Sequence, residues 1–148
     1  MHTLGNGVRL LLETGHRPTG DVAGLVEEIL RYAPPLHMFT RHVYEEVEVG
    51  GLTLRPGQQV GLLLGAAGRD SQIYKEAERF QPDRFGAKTS LAFGAGLHFC
   101  LGVTLARLEL EISLRVLFQR CPNLRMAETP RFADIYHFHG LESLWVET

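Results

Sequence analysis

The chain has 148 residues, 45% of them hydrophobic and 22% charged, with a formal net charge of −2. That length fits one domain, and the apolar share is enough for a core. The near-neutral balance excludes the partners that charge alone recruits, nucleic acid and anionic membrane surfaces.

The first predicted element is a helix. Leu4, Val8, Leu11 and Leu12 fall at helical spacing, with Gly5 and Gly7 as weak points. "ETGHRPTGD" (13–21) reads as a linker broken by Gly and Pro. In the second helix Val22, Leu25, Val26, Ile29 and Leu30 form one apolar face. Thr19 or Asp21 caps its start, and Pro34-Pro35 stop it. Residues 46–55, "EVEVGGLTLR", alternate polar and apolar around Gly50-Gly51, a hairpin signal. "QQVGLLL" (58–64) adds a third strand to a small antiparallel sheet.

Residues 66–92 show little periodicity; a short helix is expected near 71–78 and a long loop elsewhere. The best helix spans 101–120, with an apolar stripe at Leu101, Leu105, Leu108, Ile112 and Val116. Arg107–Glu111 and Glu111–Arg115 are its i,i+4 charge pairs. The tail carries strand-like pieces, "FADIYHF" and "ESLWVE", joined by Gly140. The expected class is therefore mainly α with a small antiparallel β part (α+β), residues 1–148 forming one unit.

The longest apolar run, "VGLLLGAAG" (60–68), is far short of the ~20 residues that a membrane span needs. The start, "MHTLGNGVRLLLETG", has no basic segment, and its apolar run is too short for a signal peptide. A cytoplasmic location without membrane attachment is expected.

The chemistry concentrates in "AFGAGLHFCLG" (92–102). Cys100 and Cys121 lie at opposite ends of the predicted helix, roughly 30 Å apart at ~1.5 Å per residue. A disulfide needs Cα atoms within ~7 Å, so neither a bridge nor a shared zinc site joins them. Phe99 stands where a dinucleotide fingerprint needs its third glycine after Gly94 and Gly96, and no Lys-Ser/Thr follows. Three readings of Cys100 stay open. It is a buried small hydrophobe, a reactive thiol at a helix start with His98 two residues away, or a thiolate ligand to iron. The helix dipole favours an anion there, and a single thiolate suits the axial position of haem.

The stretch resembles the haem-binding loop of the cytochrome P-450 superfamily, the haem-thiolate monooxygenases. The family pattern F-x-x-G-x-[HR]-x-C-x-G is matched at Phe93, Gly96, His98, Cys100 and Gly102. "EILR" (28–31) resembles the E-x-x-R helix motif, giving Glu28 and Arg31. "ERF" (78–80) resembles the later P-E-R-F segment, giving Arg79, with Ala77 where the family often has Pro. "TRHVYEEVEVGGLTLRPGQQV" is similar to the hairpin after that helix, and "GLESLWV" (140–146) to the C-terminal strand of bacterial soluble members.

The resemblance implies the haem-loop portion of that fold and insertion of one oxygen atom from dioxygen into an organic small molecule. It implies haem b as cofactor and a ferredoxin-type or reductase electron donor. Cys100 would be the proximal iron ligand, and Phe93 would shield its sulfur. Gly94, Gly96 and Gly102 would let the loop pass close to the porphyrin. His98 and Arg41 would hold the propionates. Glu28, Arg31 and Arg79 would form a buried structural network behind the haem. Leu36, His37, Met38 and Phe39 would line the substrate side, with residues 136–138 approaching the same pocket. Arg107 would meet an acidic ferredoxin-like partner.

Full members of the family are well over twice as long. "MHTLGNGVRLLLE" resembles the end of their central helix, whose oxygen-activating acid and alcohol residues would lie upstream of residue 1. The resemblance thus implies a C-terminal fragment or truncated product without unaided turnover, self-associating through exposed apolar surface. The alternative expectation is a non-catalytic haem-binding or interaction module derived from this family.

Overall fold

A computed structural model describes residues 2–84 and 90–148. The chain opens with helices α1 (His2–Thr14) and α2 (Val22–Tyr32). Strands β1 (Met38–His42), β2 (Val47–Val49), β3 (Leu52–Leu54) and β4 (Gln59–Leu63) follow, then the short helix α3 (Leu64–Ala67). Two 3₁₀ turns, Leu91–Phe93 and Gly96–His98, lead into helix α4 (Val103–Arg120). The tail holds β5 (Arg125–Met126), β6 (Arg131–Phe132), β7 (Leu141–Ser143) and β8 (Val146–Glu147). Helices with small antiparallel sheets are the class that the sequence implies.

The core is a three-helix packing of α1, α2 and α4. All five residues of the predicted α2 face are buried, and Asp21 accepts the N–H of Gly24 at 3.1 Å, capping the helix start. In α1, Val8 and Leu11 are buried while Leu4 and Leu12 sit at the core edge. Gly7 has a packing reason: a Cβ there would lie 3.2 Å from Ile29 Cδ1. Its bare backbone lets α1 lie close against α2.

Helix α4 departs from the expected pattern. Its buried residues are Leu110, Leu114 and Phe118. The predicted stripe faces outward, with Leu105 60% and Leu108 52% exposed. Arg107 does not make the predicted contact along its own helix; it reaches across to Glu27 on α2. A helix with apolar residues on two faces has a legible period but no unique inner side.

The predicted three-stranded sheet is two separate pairs. The β2–β3 hairpin turns at Gly50-Gly51, whose φ angles of +58° and +80° suit a tight turn of the primed type. Strand β4 passes this hairpin by and pairs with β1, from Met38↔Leu63 to His42↔Gln59. The helix expected near 71–78 is absent, and those residues form turns. Asp70 accepts the backbone N–H of Gln72 on its side chain at 2.8 Å, a local bond that competes with helix. Residues 85–89 of the predicted loop lie outside the described residues. In the tail β5 pairs with β8 and β6 with β7, so "FADIYHF" contributes only its first residue to a strand.

Candidate functional site at the cysteine loop

The site is built on a buried ionic cluster at the end of α2. Glu28 and Arg31 stand one helical turn apart, each with 1% of its side chain exposed. Arg31 Nε and Nη2 donate to Glu28 Oε2 and Oε1, both at 2.7 Å. The remaining guanidinium capacity goes to three backbone carbonyls, Gly68 at 2.6 Å, Ala77 at 2.8 Å and Arg79 at 2.9 Å. Glu28 also accepts the N–H of Gln81 at 2.7 Å and Arg84 Nε at 3.1 Å. A buried ion pair survives where its remaining hydrogen-bonding groups are filled, as they are here. Through these bonds one arginine gathers the irregular segment 68–84 onto α2.

The third member differs from the sequence expectation. The Arg79 side chain is 74% exposed and pairs with Glu76; only its carbonyl joins the cluster. Arg84, 8% exposed, takes the expected place beside Glu28. The sequence holds the acid–Arg–Phe pattern twice, "ERF" at 78–80 and "DRF" at 83–85. The second carries the proline that the first lacks, Pro82 before Asp83 against Ala77 before Glu78, so the sequence itself holds the signal that singles out Arg84.

Along the chain the cysteine loop follows segment 68–84 and leads into α4. Gly94 and Gly96 have φ of +74° and +73°, a region that side chains with a Cβ avoid. These two turns fold the loop back so that Phe93 O accepts the N–H of Cys100 at 3.1 Å. Gly102 is the N-cap of α4, and a Cβ on it would lie 4.0 Å from Cys100 Sγ. Cys100 is exposed, which removes the reading of it as a buried hydrophobe. His98 is exposed as well. Phe39 of β1 reaches the loop: its Cε2 lies 3.6 Å from where a Gly94 Cβ would be. Phe39, Arg41, Leu62, Leu91, Gly94 and Ala95 help to line an apolar cavity of about 300 Å³. Arg41 is exposed there, with one guanidinium N–H on Thr40 O at 3.0 Å.

The other residues expected on the substrate side part company with Phe39. Leu36 bridges to Phe138, and His37 N–H donates to His137 O at 3.0 Å, so residues 136–138 do meet this stretch. Met38 packs over Gly61, its Sδ 3.0 Å from where a Cβ would be. The His37 ring stacks on His139 at 4.3 Å, and His139 on Phe132 at 4.2 Å. Arg9 lies 5.3 Å over Phe132. Arg9, Tyr32, His37, Leu63, Arg69 and His139 help to line a cavity of about 460 Å³. Burial lowers the pKa of both stacked histidines, and His37 and Arg9 lower that of His139 further. The unfolded chain therefore binds these protons more readily than the folded one. Stability is complete above the ordinary histidine value of 6.5 and falls as pH drops below it. The urea midpoint is expected to be lower at about pH 5.5 than at about pH 7.5, with a smaller difference in His139→Phe.

Comparison with known proteins identifies the class. The Cytochrome P450 family model matches residues 22–140. The chain belongs to the cytochrome P450 family and carries part of its monooxygenase-type fold. The Biotin biosynthesis cytochrome P450 of Bacillus subtilis (strain 168) is 42% identical over 130 residues, covering 86% of this chain and 33% of that protein. The 6-deoxyerythronolide B hydroxylase of Saccharopolyspora erythraea is 45% identical over 110 residues, covering 74% of this chain and 27% of its own. The crystal structure of P450BioI in complex with hexadec-9Z-enoic acid ligated acyl carrier protein superposes with a TM-score of 0.92 at 39% identity. It covers 99% of this chain and 40% of that one. The chain spans about a third of the length of the curated relatives it matches.

The family's cofactor is haem, and the residues present fit it. Among the described residues no group of three or more His, Cys, Asp or Glu could hold a metal ion. A metal on Cys100 would draw its other ligands from a bound group, as porphyrin iron does. The thiol stands among open apolar surface, with Leu97 96% and Leu101 101% exposed. No helix among the described residues is long and apolar enough to cross a membrane.

Proposed function

We propose that this chain is the C-terminal, proximal part of a haem-thiolate monooxygenase. The observation that carries the reading is the exposed Cys100 thiol, presented at the start of α4 by a loop bent at Gly94 and Gly96. Haem b, when bound, supplies the redox iron that activates dioxygen for insertion into an organic small molecule. Cys100 would ligate that iron, and the Phe93 ring would stand beside the sulfur. Arg41 and His98 are exposed and would hold the propionates through charge-assisted hydrogen bonds. Phe39 would pack against the porphyrin edge. The Glu28–Arg31–Arg84 cluster would act through the backbone, keeping segment 68–84 in place behind the loop. Electrons would come from a ferredoxin-type or reductase donor. The open α4 face from Leu105 to Val116, with Leu101 just before it, supports self-association.

The test is haem uptake by the whole chain, followed by reduction under carbon monoxide. A thiolate-type ferrous–CO band is expected, and Cys100→Ala is expected to abolish it. Failure to take up haem, or an unchanged band in Cys100→Ala, would overturn the assignment. Product formation with a supplied reductase then separates a monooxygenase from a haem-binding module without turnover.

A further inference from the structure

We infer that Arg107 and Glu27 position the Cys100 loop, acting through the Phe93 ring. Arg107 Nε and Nη2 donate to Glu27 Oε1 at 2.5 Å and Oε2 at 3.1 Å, a two-pronged pairing that joins α4 to α2. The same guanidinium lies 5.2 Å from the centroid of the Phe93 ring, within cation–π range. Phe93 in turn accepts the Cys100 N–H on its carbonyl at 3.1 Å. An unbroken set of contacts therefore runs from α2 through Glu27, Arg107 and Phe93 to the cysteine.

The loop needs such a hold. Gly94, Gly96 and Gly102 give its backbone more freedom to lose than other residues would. The Phe93 ring packs at the edge of the core, so a cation fixed above it restrains the residue that anchors Cys100. The bland alternative is an interhelical ion pair. Each of its side chains is 28% exposed, and pairs in that setting contribute little to stability. The placement over Phe93 is what that alternative leaves without a role. It also means that Arg107 is engaged on both sides and is not the free cation expected to meet a redox partner.

The consequence for iron ligation rests on the haem-thiolate reading; the positioning does not, and is measured on the haem-free whole chain. The readout is amide hydrogen exchange. Arg107→Gln is expected to speed exchange at the Cys100 amide about five- to tenfold, with core amides of α2 and α4 changing less than about twofold. The charge swap Glu27→Arg with Arg107→Glu keeps the ion pair but moves the cation off the ring. Cys100 exchange is expected to stay fast in it, while Arg107→Lys, which keeps a cation, partly restores protection. Wild-type exchange in the swapped chain, or equal acceleration at all core amides, would overturn the inference. In the haem-loaded chain Arg107→Gln is expected to broaden or shift the ferrous–CO band without abolishing it. The exchange result decides the positioning whether or not haem is taken up.

Discussion

Arg31→Met is expected to destabilise the chain by about 3–5 kcal/mol, read as a lowered urea midpoint. Methionine approaches the volume of arginine but donates nothing. The change strips two donors from a carboxylate that is 1% exposed and leaves the Gly68 and Ala77 carbonyls without theirs, while the Arg79 carbonyl keeps the Arg84 Nη2 donor at 3.1 Å. Each orphaned polar group costs about 1–3 kcal/mol where water cannot reach it. Arg84 remains beside Glu28, which keeps the loss from being larger. Arg79→Met is the control. Its side chain is 74% exposed and pairs only locally, so a change within about 0.5 kcal/mol is expected. Equal losses at Arg31 and Arg79 would contradict the cluster as drawn.

Leu114→Ala is expected to cost about 2–5 kcal/mol, and Leu108→Ala less than about 1 kcal/mol. Leu114 is fully enclosed by the α1–α2 side of the core, so truncation leaves a cavity that rigid neighbours fill only in part. Leu108 stands 52% exposed on the opposite side of α4. The ranking reverses what the apolar stripe suggests. The same pair of variants reports on self-association. If the outer face docks on a second copy, the cost of Leu108→Ala rises with protein concentration while that of Leu114→Ala does not.

Where a sequence signal was local, it was legible. The α2 face, its Asp21 cap and its proline stop depend only on helical period and on residues within one turn, and the structure repeats them. The Gly50-Gly51 hairpin is equally local. The cysteine loop was readable because a motif specifies residue types at fixed spacing. Its glycines at positions 94 and 96 do adopt the backbone angles that justify glycine. Gly7 looked like a defect in the sequence because the residue that explains it, Ile29, is on another helix.

The departures from the sequence expectations differ in kind. Arg84 has a local signal, since "PDRF" at 82–85 keeps the proline of P-E-R-F while Ala77 precedes "ERF". The path of segment 68–84, held by the Arg31 guanidinium, brings that arginine to Glu28. Strand β4 was given to the nearest hairpin, whereas its partner β1 lies on the far side of that hairpin. Arg107 was paired along its own helix, although Glu27, eighty positions away, was the acid within reach.

By itself, then, the sequence determined the three long helices, the hairpin, the family and the cysteine at the centre of the candidate site. Each of these follows from residue type at short spacing, where backbone geometry leaves few alternatives. The tertiary structure decided which face of α4 is the inside, which strand pairs with β4, and which acid Arg107 binds. Those choices compare contacts that are equally available locally. They are settled by which groups the packing of α1, α2 and α4 removes from water together.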